Sequence, residues 1–316
     1  MSEETWEQKA LREIHADWVR ERRRARRWRI VWRSLLLLLV AAAILSLGRC
    51  QLGGTAQEDI GPHTAEVRLE GPIMADSPAS AGQVIDGLEA AFEAEQAAGV
   101  VLRINSPGGS AVHSSQIYDA IQRLREENPE TPLYAVIEDV GASGAYYAAA
   151  AADRIYVDEA SIVGSIGVIM GGFGLEDALE RLGIERRLYT AGENKDFLDP
   201  FSPERPEQVE HLQSMLGEIH EQFIADVRAG RDGRLVNPQE NELFSGLVWT
   251  GSQSVELGLA DGVGSVRSVA REVVGEEQVV DYTVQRDLLG RLSERLGTAL
   301  GQGLFSTLQR LEYQPR

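Results

Sequence analysis

Between residues 65 and 157, short apolar runs alternate with stretches whose apolar positions recur every three or four residues, a pattern that few architectures accept. Ala65–Leu69, Val100–Ile104, Leu133–Ile137 and Arg154–Val157 read as strands, being brief and rich in Val, Ile and Leu. Val84, Leu88 and Phe92 mark one helical face between them, and Ile117, Ile121 and Leu124 mark another. Strands that take turns with helices pair in parallel through crossover connections, which puts the chain in the α/β class. Further strands are predicted at Ile166–Met170 and Glu185–Tyr189, with a helix near Leu175–Leu182. A long helix is predicted over Pro203–Val227, with Val209, Leu212, Leu216, Ile219, Phe223 and Val227 on one stripe as core or subunit contact. The body so defined runs over residues 64–283. Residues 284–316 follow as a tail with leucine at 288, 292, 296, 300, 304, 308 and 311, a stripe that packs on its own domain, a partner or a membrane surface.

Charge divides the chain sharply. Residues 1–50 hold 11 Lys and Arg against 6 Asp and Glu, whereas the whole chain of 316 residues carries a net charge of -18. An acidic body lacks the basic footprint of nucleic-acid binding. Residues 1–29 form a basic tail, and the stretch Ser34–Gly48 is uncharged and almost wholly apolar. Extended back to Ile30 it reaches nineteen residues, enough for a tilt-free or slightly thinned crossing of a bilayer core of about 30 Å. Residues 30–48 therefore read as a transmembrane anchor in the lipid bilayer. Eight arginines from Arg20 to Arg33 hold the N-terminus in the cytoplasm, with the body on the far side. A cleaved signal peptide is the competing reading, with Gly54-Thr55-Ala56 as small residues at suitable spacing. Residues 49–63 are a Gly-rich polar linker, and the single cysteine, Cys50, allows no internal disulfide.

Three polar motifs follow predicted strands, where open α/β sheets place their ligand sites. Asn105-Ser106-Pro107-Gly108-Gly109 can turn backbone N–H groups toward a ligand; an ordinary Pro-Gly turn is the plain alternative. Gly141-Ala142-Ser143-Gly144-Ala145 passes from a strand into an Ala-rich helix, which suits either a projected nucleophile or a serine N-cap. Gly192-Glu193-Asn194-Lys195-Asp196-Phe197 is a polar loop holding the only lysine beyond Lys9, in a chain with 29 arginines. Arginine keeps its proton at any working pH, while a desolvated lysine can lose it and act as a base. Ser165, in Gly164-Ser165-Ile166-Gly167, suits either holding such an amine or a turn before a strand. No histidine offers an equal base between Ser143 and His211, and His211 and His220 lie on opposite sides of one helix, so they cannot share a metal.

The run SPGG, the segment GASGAYYAAAAADRIYVDEASIVGSIGV and the later AGENKD resemble the signal peptide peptidase A family, in its short single-domain form, across roughly residues 64–275. The resemblance implies a ClpP/crotonase-like fold and a membrane-anchored serine protease of the bacterial inner membrane, its catalytic domain on the periplasmic side. It implies Ser143 as nucleophile, Lys195 as general base and Ser165 as the residue orienting the lysine. Backbone N–H groups at Gly108, Gly109 and Gly144 are implied as the oxyanion hole, and no metal or cofactor. Partners implied are peptide substrates, chiefly remnant signal peptides, and further copies in a homo-oligomeric ring whose neighbours share active sites. A crotonase-type acyl-CoA enzyme, a soluble Clp-type protease, an inactive ring-forming peptide-binding scaffold and a related membrane-bound protease with a different protein quality-control substrate are the alternatives. The first leaves Lys195 without a role, and the second needs a histidine closer to the serine. If Lys195 is a neutral base, Glu193 and Asp196 must point away from it or pair elsewhere, since a carboxylate on the amine holds the proton.

Overall fold

A computed structural model describes residues 61–284, together with Trp28 and residues 32–38. Residues 32–38, inside the expected anchor, are helical, and the rest of that anchor and the leucine stripe from Leu288 lie outside the described residues. No described helix is long and apolar enough to cross a membrane.

Eight strands build one sheet: β1 His63–Glu70, β2 Ala97–Ser106, β3 Leu133–Ala142, β4 Arg154–Val157, β5 Ile162–Gly164, β6 Val248–Thr250, β7 Gly262–Val263 and β8 Val279–Asp281. Every pairing is parallel except β5 with β6. The order is β6-β5-β3-β2-β1-β8, and β3 carries two neighbours on one side. Its first half, Tyr134–Ile137, pairs with β4; its second half, Val140–Ala142, pairs with β5. This split turns the sheet at the point where β3 delivers its last residues. The strands are buried on both faces through most of β1 and β2, which is why they read as continuous apolar runs rather than as alternation.

Helices α1 (Ala81–Phe92) and α2 (Ala111–Glu127) connect β1 to β2 and β2 to β3. Helix α3 (Gly144–Ala150) follows β3 directly and is buried at every residue. Its alanines allow that close enclosure. Helix α4 (Glu176–Arg181) is short and has no buried residue. Helix α5 runs over Pro206–Arg231, starting at a proline that suits a first helical position. The stripe expected on it is core only toward its C-terminal end, at Phe223 and Val227, while Met215 and Ile219 are exposed. Phe223 stacks on Tyr147 of α3 at 4.4 Å between ring centroids. The Tyr147 hydroxyl donates to Asp226, and burial together with that bond pushes its pKa well above the usual phenol value. At Gly230 a side chain would sit 1.9 Å from the Ala150 carbonyl oxygen, so the two helices meet backbone to backbone. Helices α6 (Gly251–Glu256) and α7 (Val266–Val269), then one π-helical turn at Ala270–Val274, complete the described elements.

Two expected strands are absent. Ile166–Met170 and Glu185–Tyr189 take no regular pairing, because a strand exists only with a hydrogen-bonding neighbour and none lies beside either segment among the described residues. Ile166 is buried in the core, but apolar side chains that lead on from it face solvent: Ile169 is 92% exposed, Phe173 84% and Tyr189 89%. The arm that carries them also carries Lys195.

Candidate active site

The ends of β2 and β3 converge. After β2, the buried hydroxyl of Ser106 accepts the Gly108 N–H at 3.1 Å. The Gly108 carbonyl then accepts the Ile73 N–H at 2.9 Å, and the Ser110 N–H donates to the Ile73 carbonyl at 2.8 Å. Those two bonds face Ile73, so by strand alternation the Gly109 N–H between them faces the opposite way. It lies toward the start of α3, where a Cβ on Gly144 would be 3.3 Å from the Gly109 nitrogen. Neither the Gly109 nor the Gly144 N–H finds an acceptor among the described residues. Gly108 has φ +89°, and a Cβ there would lie 2.6 Å from both the Ala142 oxygen and the Gly144 nitrogen. Only glycine permits this turn and this approach together.

Ser143 stands between the glycines and the sheet. Its backbone sits at φ 54°, ψ -125°, a conformation an L residue holds only when its surroundings impose it. The N–H of Ser143 donates to the Gly164 carbonyl at 2.8 Å, and its carbonyl accepts the Tyr147 N–H at 3.0 Å. The side chain makes no cap bond to α3, so the N-cap alternative does not describe it. Its hydroxyl is left free at the head of a buried helix with two unspent N–H groups beside it, an arrangement that can hold a negatively charged oxygen.

Ser165 follows Gly164 directly and shares the positive φ, at 53°. Its N–H donates to the Leu247 carbonyl at 2.7 Å, and His220 Nε2 lies 3.1 Å from the next carbonyl, Ile166. The structure thus brings Ser143, Ser165, Gly108, Gly109 and Gly144 into one corner. Lys195 is not joined to them: it is exposed, and its amine has no hydrogen bond or ion pair among the described residues. Asp196 beside it pairs with Arg205 rather than with the lysine, and Glu193 makes no ion pair among the described residues. Sequence reasoning missed Ser106 and Ile73, which aim the glycine turn, and His220, which steadies the residue after Ser165. The Asn-Ser-Pro-Gly-Gly run contained Ser106, but a side chain turned back onto its own loop leaves no periodic trace.

The comparisons place this corner among known proteins. The model for peptidase family S49 matches residues 125–280, and that for Clp protease matches residues 64–164. The protein MJ0651 of Methanocaldococcus jannaschii, which carries a protease name, is 31% identical over 221 residues, 68% of this chain and 69% of its own. The chloroplastic serine protease SPPA of Arabidopsis thaliana is 32% identical over 206 residues, 64% of this chain and 30% of that protein. The Na(+)/H(+) antiporter NhaA of Brucella abortus is 43% identical over 242 residues, 74% of this chain, and the matched stretch is 32% of the antiporter's length.

Proposed function

The chain belongs to the signal peptide peptidase A family, peptidase family S49, and we propose that it is a serine endopeptidase with Ser143 as nucleophile and Lys195 as general base. The observation that carries this is the strained Ser143, its hydroxyl uncapped beside the free Gly109 and Gly144 N–H groups. Neutral Lys195 takes the hydroxyl proton as Ser143 Oγ attacks the scissile carbonyl. The Gly109 and Gly144 N–H groups hold the resulting oxyanion, and the lysine returns its proton to the leaving amine. Water then hydrolyses the acyl-enzyme by the same route. Gly108 drops out as a donor because its N–H is already spent on Ser106; it serves by letting the turn reach Ser143. Ser165 orients the lysine amine.

The exposed arm supports assembly. Ile169, Phe173, Leu182 and Tyr189 form apolar surface that a single chain leaves in water, and a neighbouring copy in a ring covers it while bringing Lys195 to the neighbour's Ser143. Residues 30–48 anchor the chain in the bacterial inner membrane with the catalytic body on the periplasmic side. There it meets remnant signal peptides and other short apolar chains as they leave the bilayer.

A fluorophosphonate probe tests the nucleophile. Intact mass and peptide mapping are expected to find one adduct, on Ser143, with labelling strongly slowed in Lys195→Ala; an adduct on another residue would sink the assignment. Gly108→Ala tests the turn. Its methyl group meets backbone on two sides, so the Gly109 and Gly144 N–H groups are pushed apart. Losing one oxyanion donor costs about 10²–10³-fold in kcat. Turnover of a fluorogenic apolar peptide should fall by that much while circular dichroism keeps the native spectrum.

A further inference from the structure

The loop that carries Lys195 is fastened on both sides of the lysine, and its neighbouring carboxylate takes part. Asp196 accepts from the Arg205 guanidinium, and the Gln208 side-chain amide packs against the same two groups. Arg205 also reaches back to the Glu193 carbonyl at 3.4 Å, so one guanidinium spans both sides of Lys195. Phe197 meets the His211 ring edge-on at 5.8 Å, which sets the loop against the first turns of α5. The charged groups nearest in the chain are Glu193 and Asp196, with Asp199 and its partner Arg186 further along the arm, while Arg205 and His211 hold the loop from the start of α5.

Both members of the pair are about a third exposed, Arg205 at 34% and Asp196 at 28%. Surface pairs of this kind add little to folding. The pair's other consequence is to occupy Asp196: a free carboxylate one residue from Lys195 can pair with the ammonium and hold its proton.

We propose that Arg205 is a positioning residue for the general base: by occupying Asp196 and tying down the Glu193 carbonyl, it keeps carboxylate away from the Lys195 amine and so lets that amine lose its proton near working pH. This rests on the assignment of Lys195 as base made above. Because the clamp lies within one chain, it travels with Lys195 whichever subunit's serine the lysine serves.

The test is the pH dependence of kcat/KM on a fluorogenic apolar peptide with the full-length protein, whose acid limb reports deprotonation of the base in the free enzyme. Arg205→Met releases a carboxylate one residue from the lysine, and pairing with it would hold the ammonium proton to higher pH. The limb should move up by about one pH unit or more, the scale set by a neighbouring opposite charge. Arg205→Lys, which keeps a cation on Asp196, should leave the limb in place. Adding Asp196→Asn to Arg205→Met should bring it back down. Asp196→Asn alone takes a negative charge from the residue next to the lysine and should move the limb down, which keeps the proposal testable if Arg205→Met fails to fold. A uniform loss of activity in Arg205→Met with an unmoved limb would assign Arg205 a structural role and overturn the inference while Lys195→Ala stays inactive. Full activity in Lys195→Ala would instead remove the base assignment and the inference with it.

Discussion

Ser143→Ala and Lys195→Ala are each expected to lower kcat/KM on an apolar peptide by about four to six orders of magnitude, and the double variant should be no slower than the worse single. The two side chains act in one step, so removing either leaves the other with nothing to do. What remains in all three is the contribution of the Gly109 and Gly144 N–H groups, which neither substitution touches. Mixing the single variants separates a shared site from a private one. In one chain, Lys195 is exposed with its amine unbonded among the described residues, while Ser143 sits in the corner between β3 and α3. If a head-to-tail ring pairs each serine with the next subunit's lysine, an equal mixture of dissociated and reassembled variants contains intact pairs at roughly a quarter of its sites. Activity should then return to about that fraction. A mixture as inactive as its components would mean that each chain uses its own lysine.

The corner was legible because its chemistry is local. Gly108-Gly109 and Ser143-Gly144 lie within a few residues of the strands that deliver them, and small residues at a strand end announce a tight turn. The four leading strands were legible for a similar reason, since long apolar runs bounded by helical patterns admit one reading. Resemblance supplied the rest of the site, including the link from Ser143 to a lysine on a separate arm. That arm was misread as two strands because apolar residues such as Ile169, Ile184, Leu188 and Tyr189 there lie exposed, and a single sequence does not say which neighbour an apolar residue meets. Strands β5 and β6, three residues each, are too short to show a period. They matter nonetheless, since β5 presents Gly164 to Ser143 and β6 pairs with it through Trp249. Ser106 and His220 act on backbone groups, and a bond to a main-chain atom makes no demand on the partner's identity that a sequence could reveal.

One pair left no sequence trace at all and carries the largest expected effect on folding. Arg231 closes α5 and is wholly buried, yet an arginine at a helix C-terminus reads as a solvent-facing charge on the helix dipole. Its guanidinium instead donates to both oxygens of Asp261, at 2.8 and 3.0 Å, and its Nε donates to the Gly258 carbonyl at 3.0 Å. Asp261 also accepts the Ile155 N–H at 2.7 Å, so the pair ties α5 to β4 beneath the nucleophile helix. Burial by itself would raise the Asp261 pKa; the bonds from Arg231 and Ile155 outweigh it and hold the carboxyl below its usual range. Arg231→Met leaves that carboxylate only the Ile155 N–H and the longer Arg234 contact at 3.3 Å, so the loss should approach but not exceed the cost of about 3–5 kcal/mol for breaking a buried pair from one side. Arg231→Lys keeps the charge but loses the two-pronged fit and should fall between. The acid dependence identifies the cause. With a depressed folded pKa, Asp261 stabilises the native protein above the unfolded value of about 3.9, and this contribution is lost as pH falls through the folded value. In Arg231→Met the carboxyl keeps only Arg234 and the Ile155 N–H, so it protonates at higher pH than in the native protein, which relieves the charge. Urea unfolding should therefore find the gap between native and variant protein widest at pH 7 and clearly narrower at pH 3. A gap of the same size at both values would place the cost in packing around the lost side chain rather than in the charge left behind.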